Sequence, residues 1–239
     1  MRLEIRNIKK IIDKKEIIKD VSFECSIGEK VAILGPNGAG KTTTFLTVAG
    51  FYKPDGGKII IKENENKEKD ITKASASEKA KIGIVYLPQK NSLFDELSVY
   101  ENLQISCELL GIPLSRIAEV AQKFGIEKFL HSKTGVLSGG ERRKAEIARV
   151  NLINPKFLIL DEPFAGIDPK SINLIASIIE NISKSSGIII SDHNVRDVLR
   201  ICTRVYLIYD GKIVDEGSPK YIASSYKAKS IFFGENFEL

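Results

Sequence analysis

Long apolar stretches are missing from this chain of 239 residues. No run approaches the ~20 residues a helix needs to cross a bilayer, so work at a membrane would require spanning helices from another chain. The opening residues, Met1-Arg2-Leu3-Glu4-Ile5-Arg6, lack the apolar core of a secretory leader. Cysteine is sparse. Cys25, Cys107 and Cys202 are odd in number, scattered and in no metal-ligand spacing, as expected of buried thiols in a reducing compartment. Proline is scarce too, with 8 residues against 18 glycines, and no repeat or low-complexity segment occurs. A fibrous or disordered chain is thereby excluded. Nor is there a strong charge of one sign. The formal net charge of +5 reads as a solvated basic surface and does not choose among nucleotides, acidic membranes and nucleic acid.

What the chain does have is an ordinary globular composition, 43% hydrophobic and 28% charged, and enough length for one large domain with a sizeable core. Short apolar runs recur at Val31 to Leu34, Ile59 to Ile61, Ile82 to Leu87, Phe157 to Leu160, Ile188 to Ile190 and Val205 to Ile208. Several lead directly into Gly, Asp or Ser, as buried parallel strands do at their functional ends. Stretches with helical spacing separate them, at Thr43 to Ala49, Glu141 to Leu152, Lys170 to Ser183 and Val195 to Cys202. This alternation predicts an α/β fold with a largely parallel sheet. Residues 1–30 and 57–70 read instead as short strands and turns, with Lys62 to Asp70 a solvated hairpin or loop. Residues 92–135 read as helical, from Val99 to Leu110 and from Ser115 to His131, an inserted helical subdomain.

Gly35-Pro36-Asn37-Gly38-Ala39-Gly40-Lys41-Thr42 lies between an apolar run and a helical stretch, the context that confirms a phosphate-binding loop. Glycines let backbone N–H groups turn inward on phosphate oxygens, and the following helix adds its positive N-terminal end. Lys41 is placed to bridge the β- and γ-phosphates, the Thr42 hydroxyl to ligate Mg2+, and Thr43 to complete the nucleotide contacts. The four fixed positions would arise by chance in about 1% of chains this long. Phe157-Leu158-Ile159-Leu160 delivers Asp161 and Glu162 to the C-terminal end of a buried strand, where open α/β sheets bind ligands. Asp161 suits magnesium; Glu162 suits the general base that polarises water. An apolar run ending in Asp-Glu would, on its own, serve equally as a helix cap. His193, after Ile188 to Asp192, reads as a γ-phosphate sensor on the same sheet edge.

Leu137-Ser138-Gly139-Gly140-Glu141 at the head of a helix resembles the signature motif of ABC ATPases, and with the phosphate loop and Asp161-Glu162 the match is specific. The resemblance implies a P-loop NTPase domain over residues 1–239. Its parallel core would carry an N-terminal antiparallel β subdomain, a helical subdomain inserted at about 92–150 and a C-terminal extension at about 218–239. It also implies a homodimer, in which Ser138, Gly139 and Gly140 of one copy close over ATP held by the other. Gln89 resembles the residue that ligates Mg2+ and relays nucleotide state, and Asp168 lies in a stretch resembling the loop between the two sites. Where such proteins usually stack adenine on an aromatic ring, this chain has Ile12, and weaker selection of ATP over GTP is the expectation.

A finer likeness extends over nearly the whole chain. Tyr86 to Gln89, Phe94, Leu97 to Asn102, Glu141 to Arg143, Asp161 to Asp168, Asp192 to Arg196 and the tail 233–239 are similar to the ATPase subunits of lipopolysaccharide export transporters. That likeness implies ATP and Mg2+ as cofactors and two membrane permease chains docking near Gln89 and Phe94. The location it implies is the cytoplasmic face of an inner membrane, with attachment through those partners. Branched-chain amino-acid importer ATPases share similar wording and stay open. So does a soluble ABC protein, although such proteins on nucleic acid usually carry coiled-coil insertions or tandem domains that this chain lacks. No nucleic-acid partner is expected.

Overall fold

β-Branched and aliphatic runs favour strands, and in the computed structural model, which describes residues 1–64, 66–90, 92–235 and 237, they form one sheet. Its strands are β1 (Arg2–Ile12), β2 (Lys15–Ser26), β3 (Lys30–Leu34), β4 (Gly56–Asn64), β5 (Lys67–Asp70), β6 (Ile84–Leu87), β7 (Phe157–Asp161), β8 (Gly187–Ser191), β9 (Arg204–Tyr209) and β10 (Lys212–Gly217). They lie in the order β5-β4-β1-β2-β10-β9-β3-β8-β7-β6. From β9 to β6 every pairing is parallel, whereas β5, β4, β1 and β2 pair antiparallel. The parallel core and the antiparallel N-terminal part both match expectation.

Every residue of β3, β7 and β8 is buried, the mark of strands covered on both faces. Their side chains alternate between two cores. Ala32, Leu34, Leu158, Leu160, Ile188 and Ile190 face one core, while Val31, Ile33, Phe157, Ile159 and Ile189 face the other. The second core is closed by α1 (Lys41–Ala49), through Phe45 and Val48. The first is closed by elements that include α3 (Val99–Leu110), α4 (Ser115–Phe124), α5 (Gly139–Asn151), α6 (Pro169–Ser183), α7 (Val195–Ile201) and α8 (Pro219–Ser224); α2 (Ala76–Lys81) lies between β5 and β6. Among the described residues no helix is long and apolar enough to cross a membrane.

Local chemistry moved several boundaries. Residues 1–30 hold strands of 11 and 12 residues rather than short ones, because β1 pairs with both β2 and β4. The strand expected from Ile82 begins at Ile84. Ile82 instead caps α2, a helix not foreseen, which starts with a capping box between Ser75 and Glu78. The helix expected from Ser115 to His131 stops at Phe124, where Gly125 turns left-handed and its N–H closes on Ala121 and Gln122. The solvated segment Lys62 to Asp70 contributes to the β4–β5 pairing, apart from residue 65, which lies outside the described residues. In the tail, the Phe233 and Phe237 rings stack at 4.4 Å; Asn236, Glu238 and Leu239 lie outside the described residues.

Candidate functional site

Four adjacent parallel strands, β3, β8, β7 and β6, end on the same edge, and each hands one functional segment to it. After β3 comes the phosphate loop. A Cβ at Gly35 would sit 2.0 Å from the Ile208 carbonyl oxygen, so only glycine lets the loop leave the sheet this closely. The loop closes through Ala39 N–H on the Pro36 carbonyl at 3.2 Å, and the Gly211 N–H braces Ala39 from outside at 3.1 Å. Gly40 then turns left-handed at φ 103° and opens α1, so the positive end of that helix faces the loop. Lys41 Nζ donates to the Gly35 and Pro36 carbonyls at 2.7 and 2.9 Å. Burial pulls its pKa down, opposed by the charges of Glu162 and Asp161. Lys15, Ile17, Asn37, Gly38, Gly40, Lys41, Thr42, Thr43 and Glu162 line the resulting cleft.

From β7 come the two carboxylates. Asp161 is 1% exposed, and burial raises its pKa against hydrogen bonds from the Thr42 and Tyr86 hydroxyls. The Tyr86 hydroxyl donates to it at 3.0 Å. Glu162 adopts φ 49°, a left-handed conformation that costs ~1–3 kcal/mol in a residue with a side chain. Its N–H donates to the Ser191 carbonyl at 2.7 Å, which fixes the turn. The turned carboxylate meets both remaining strand ends. The Gln89 amide donates to Oε2, and His193 Nε2 lies 2.8 Å from Oε1. Thus Lys41, Thr42, Asp161, Glu162, Gln89 and His193, separate in sequence, form one constellation.

Other expected residues sit elsewhere. Ser138 caps α5 and exchanges hydrogen bonds with Glu141, while the Asp168 side chain caps α6 through Lys170 and Ser171 N–H groups. A Cβ at Gly140 would meet Ser171 Oγ at 2.3 Å, so the two helix starts are packed together. None of Ser138, Gly139, Gly140 and Asp168 lines the phosphate cleft. Ile12 ends β1 opposite Lys15, and the apolar wall of the cleft is Ile17.

Two contributors were not foreseen. Arg143, 5% exposed on α5, donates to the carbonyls of Pro88, Asp161, Glu162 and Pro163 at 3.0–3.1 Å and pairs with Glu146 at 2.8 Å. It ties the segment before Gln89 to the one carrying Glu162. Buried Asp192 accepts from the Phe164 and Asn194 N–H groups at 2.7 and 2.8 Å, and burial raises its pKa. It holds the chain on either side of His193. The sequence signal available for Arg143 was its place one turn into the helix that Ser138 caps.

The ABC transporter family model matches residues 18–165, more than half of the chain. The chain belongs to the ABC transporter family. It is an ATPase that binds nucleotide, and membership implies pairing of ATP-binding subunits and permease partners in the membrane. The lipopolysaccharide export system ATP-binding protein LptB of Escherichia coli K12 is 43% identical over 243 residues, covering 99% of each chain. The protein of the same description from Acidithiobacillus ferridurans is 38% identical, covering 99% of this chain and 98% of its own. A nucleotide-free ATP-binding cassette from an ABC transporter superposes with a TM-score of 0.89 at 27% identity, covering 98% of this chain and all of its own. An ABC transporter cassette in its ADP conformation gives 0.87 at 29%, with the same coverage. This ABC ATPase therefore has its expected fold.

Proposed function

We propose that this ABC ATPase drives lipopolysaccharide out of the inner membrane of a Gram-negative cell toward the outer membrane. Its main support is the end-to-end likeness to lipopolysaccharide export ATP-binding proteins, which favours export over amino-acid import or a soluble role. Glu162, held between Gln89 and His193, is the general base that takes a proton from water, and His193 keeps its carboxylate aimed. Lys41 and the N–H groups of Asn37, Gly38 and Gly40 to Thr43 carry the phosphates.

The donors fit magnesium. Thr42, Asp161 and the side-chain carbonyl oxygen of Gln89 are hard oxygen donors, and among the described residues no group of three or more His, Cys, Asp or Glu is placed to hold a metal ion on its own. Few protein donors supplemented by substrate phosphates is how Mg2+ is usually held. When bound, the ion supplies charge neutralisation on the phosphates.

Ser138, Gly139 and Gly140, at the start of α5 and away from the cleft, would be the second phosphate cradle of a homodimer closing over two ATP molecules, with Asp168 in the loop between the two sites. Phe94 is 58% exposed although its backbone is pinned by Asn102 and Thr134, as suits a contact for a permease helix beside Gln89. The chain would then work in the cytoplasm, attached to the membrane by its partners, with residues 92–150 as the helical subdomain and 218–239 as an extension. Affinity purification from membranes, with identification of integral partners and of bound lipopolysaccharide, tests the proposal. Recovery of an amino-acid permease instead overturns it.

A further inference from the structure

Two lysines line the phosphate cleft, Lys41 and Lys15. Lys41 is buried, and its ammonium is turned onto the Gly35 and Pro36 carbonyls. Lys15, the first residue of β2, is exposed and takes part in no ion pair among the described residues. The acids around it are engaged elsewhere. Asp210, whose carboxylate feels the Lys15 charge, is paired with Lys19. Glu162, the one acid lining the cleft among the described residues, is held by Gln89 and His193.

The β1–β2 hairpin sets the direction of the side chain. Asp13 and Lys14 have φ of 49° and 64°, a two-residue turn whose twist fits paired strands. It places Lys15 directly opposite Ile12, so the two side chains stand on one face. Ile17, two residues on, shares that face. At Ile17 the strand β2 meets the phosphate loop: a Cβ at Gly40 would lie 3.1 Å from the Ile17 carbonyl oxygen and 3.9 Å from its Cγ2. Lys15 is about 7 Å along the strand from that contact, and its flexible four-carbon stem reaches back to the cleft. The cleft holds about 350 Å3, at the small end for ligand sites, so a phosphate chain seated on the loop lies within a ligand's length of Lys15.

We propose that Lys15 is a nucleotide-binding residue whose ammonium pairs with the phosphate chain in addition to Lys41. This rests on the reading of the loop as the phosphate carrier. The phosphates are the charged part of a nucleotide, whereas ribose and base are neutral. An exposed ammonium without a carboxylate partner, beside backbone N–H groups that already favour anions, is drawn to them. The pairing also accounts for how a cleft with no aromatic ring among its described lining residues grips its ligand. Charge on the phosphates supplies the hold, and that hold is blind to the base.

The test is calorimetric titration of ADP and of GDP into wild type, Lys15→Met and Lys15→Arg, in EDTA at low and at high salt, alongside thermal melts without nucleotide. At low salt Lys15→Met should bind both diphosphates about 5-fold more weakly than wild type, by the same factor for each base, as loss of one exposed charge contact predicts. High salt should shrink that gap by screening the pair. Lys15→Arg should keep wild-type affinity. The three melts should coincide, because an exposed side chain without an ion-pair partner adds little to the fold. Unchanged affinity of Lys15→Met at low salt, or a loss for one base alone, would overturn the proposal. A wild type that binds neither diphosphate, even with Mg2+ added, would instead overturn the loop's role as phosphate carrier, and this inference with it.

Discussion

His193 Nε2 lies 2.8 Å from Glu162 Oε1, and the two residues come from the ends of adjacent strands, β8 and β7. Glu162 reaches that partner only because its backbone is turned to φ 49°. Replacing His193 by Ala frees one carboxylate oxygen while leaving the phosphate loop intact. Steady-state turnover should fall by about 10²-fold or more, with nucleotide affinity within a few-fold of wild type. Equal losses in both would mean that His193 serves the fold rather than the base.

Arg143 and Glu146 form an ion pair with side chains 5% and 4% exposed. Glu146 also accepts from the Ser92 N–H at 2.7 Å. Arg143→Ala leaves that carboxylate buried without its counter-charge, at a cost of about 3–5 kcal/mol in urea unfolding. The Arg143→Ala/Glu146→Ala double variant should recover part of that loss, and a strictly additive result would contradict the pairing.

Lys79 is fully buried, donates to the Thr47 and Val48 carbonyls at 3.3 and 3.0 Å, and is pulled down by burial to a pKa of about 8. The unfolded chain keeps its lysine near the ordinary 10.5. Between these values the unfolded state binds more protons, so this group's contribution to stability rises with pH. Below about pH 8 its burial penalty is fully present. Wild type should therefore gain stability relative to Lys79→Met between pH 8 and 10 in denaturant titrations. A constant difference across that window would show that Lys79 does not titrate there.

No aromatic ring lines the phosphate cleft among the described residues; its apolar wall is Ile17, with Ile12 one hairpin turn away. Losing a stacked ring forfeits about 0.5–1.5 kcal/mol. ATP and GTP turnover should then differ by less than about tenfold, and Ile12→Tyr should favour ATP. A strong ATP preference in the unaltered chain would contradict this.

The strand runs and the phosphate loop were legible because each is local: apolar periodicity makes the strands, and spacing makes the loop. Gln89, Glu162 and His193 were legible singly, but their meeting depends on strand order, which lets residues 73 positions apart touch. Arg143 escaped for the same reason, since its carbonyl acceptors lie 18 to 55 residues away. The short helix α2 escaped because six mostly polar residues carry too little periodicity, and its capping box was its only signal. Gly125, one residue in a helical pattern, was enough to divide the segment from Ser115 to His131.

The most direct measurement is ATP hydrolysis and solution mass of Glu162→Gln, with and without ATP and Mg2+. Removing the base while keeping the shape should lower turnover by about 10²–10⁴-fold and leave an ATP-dependent dimer that wild type shows only transiently. Undiminished hydrolysis, or a variant that stays monomeric in ATP, would contradict the account.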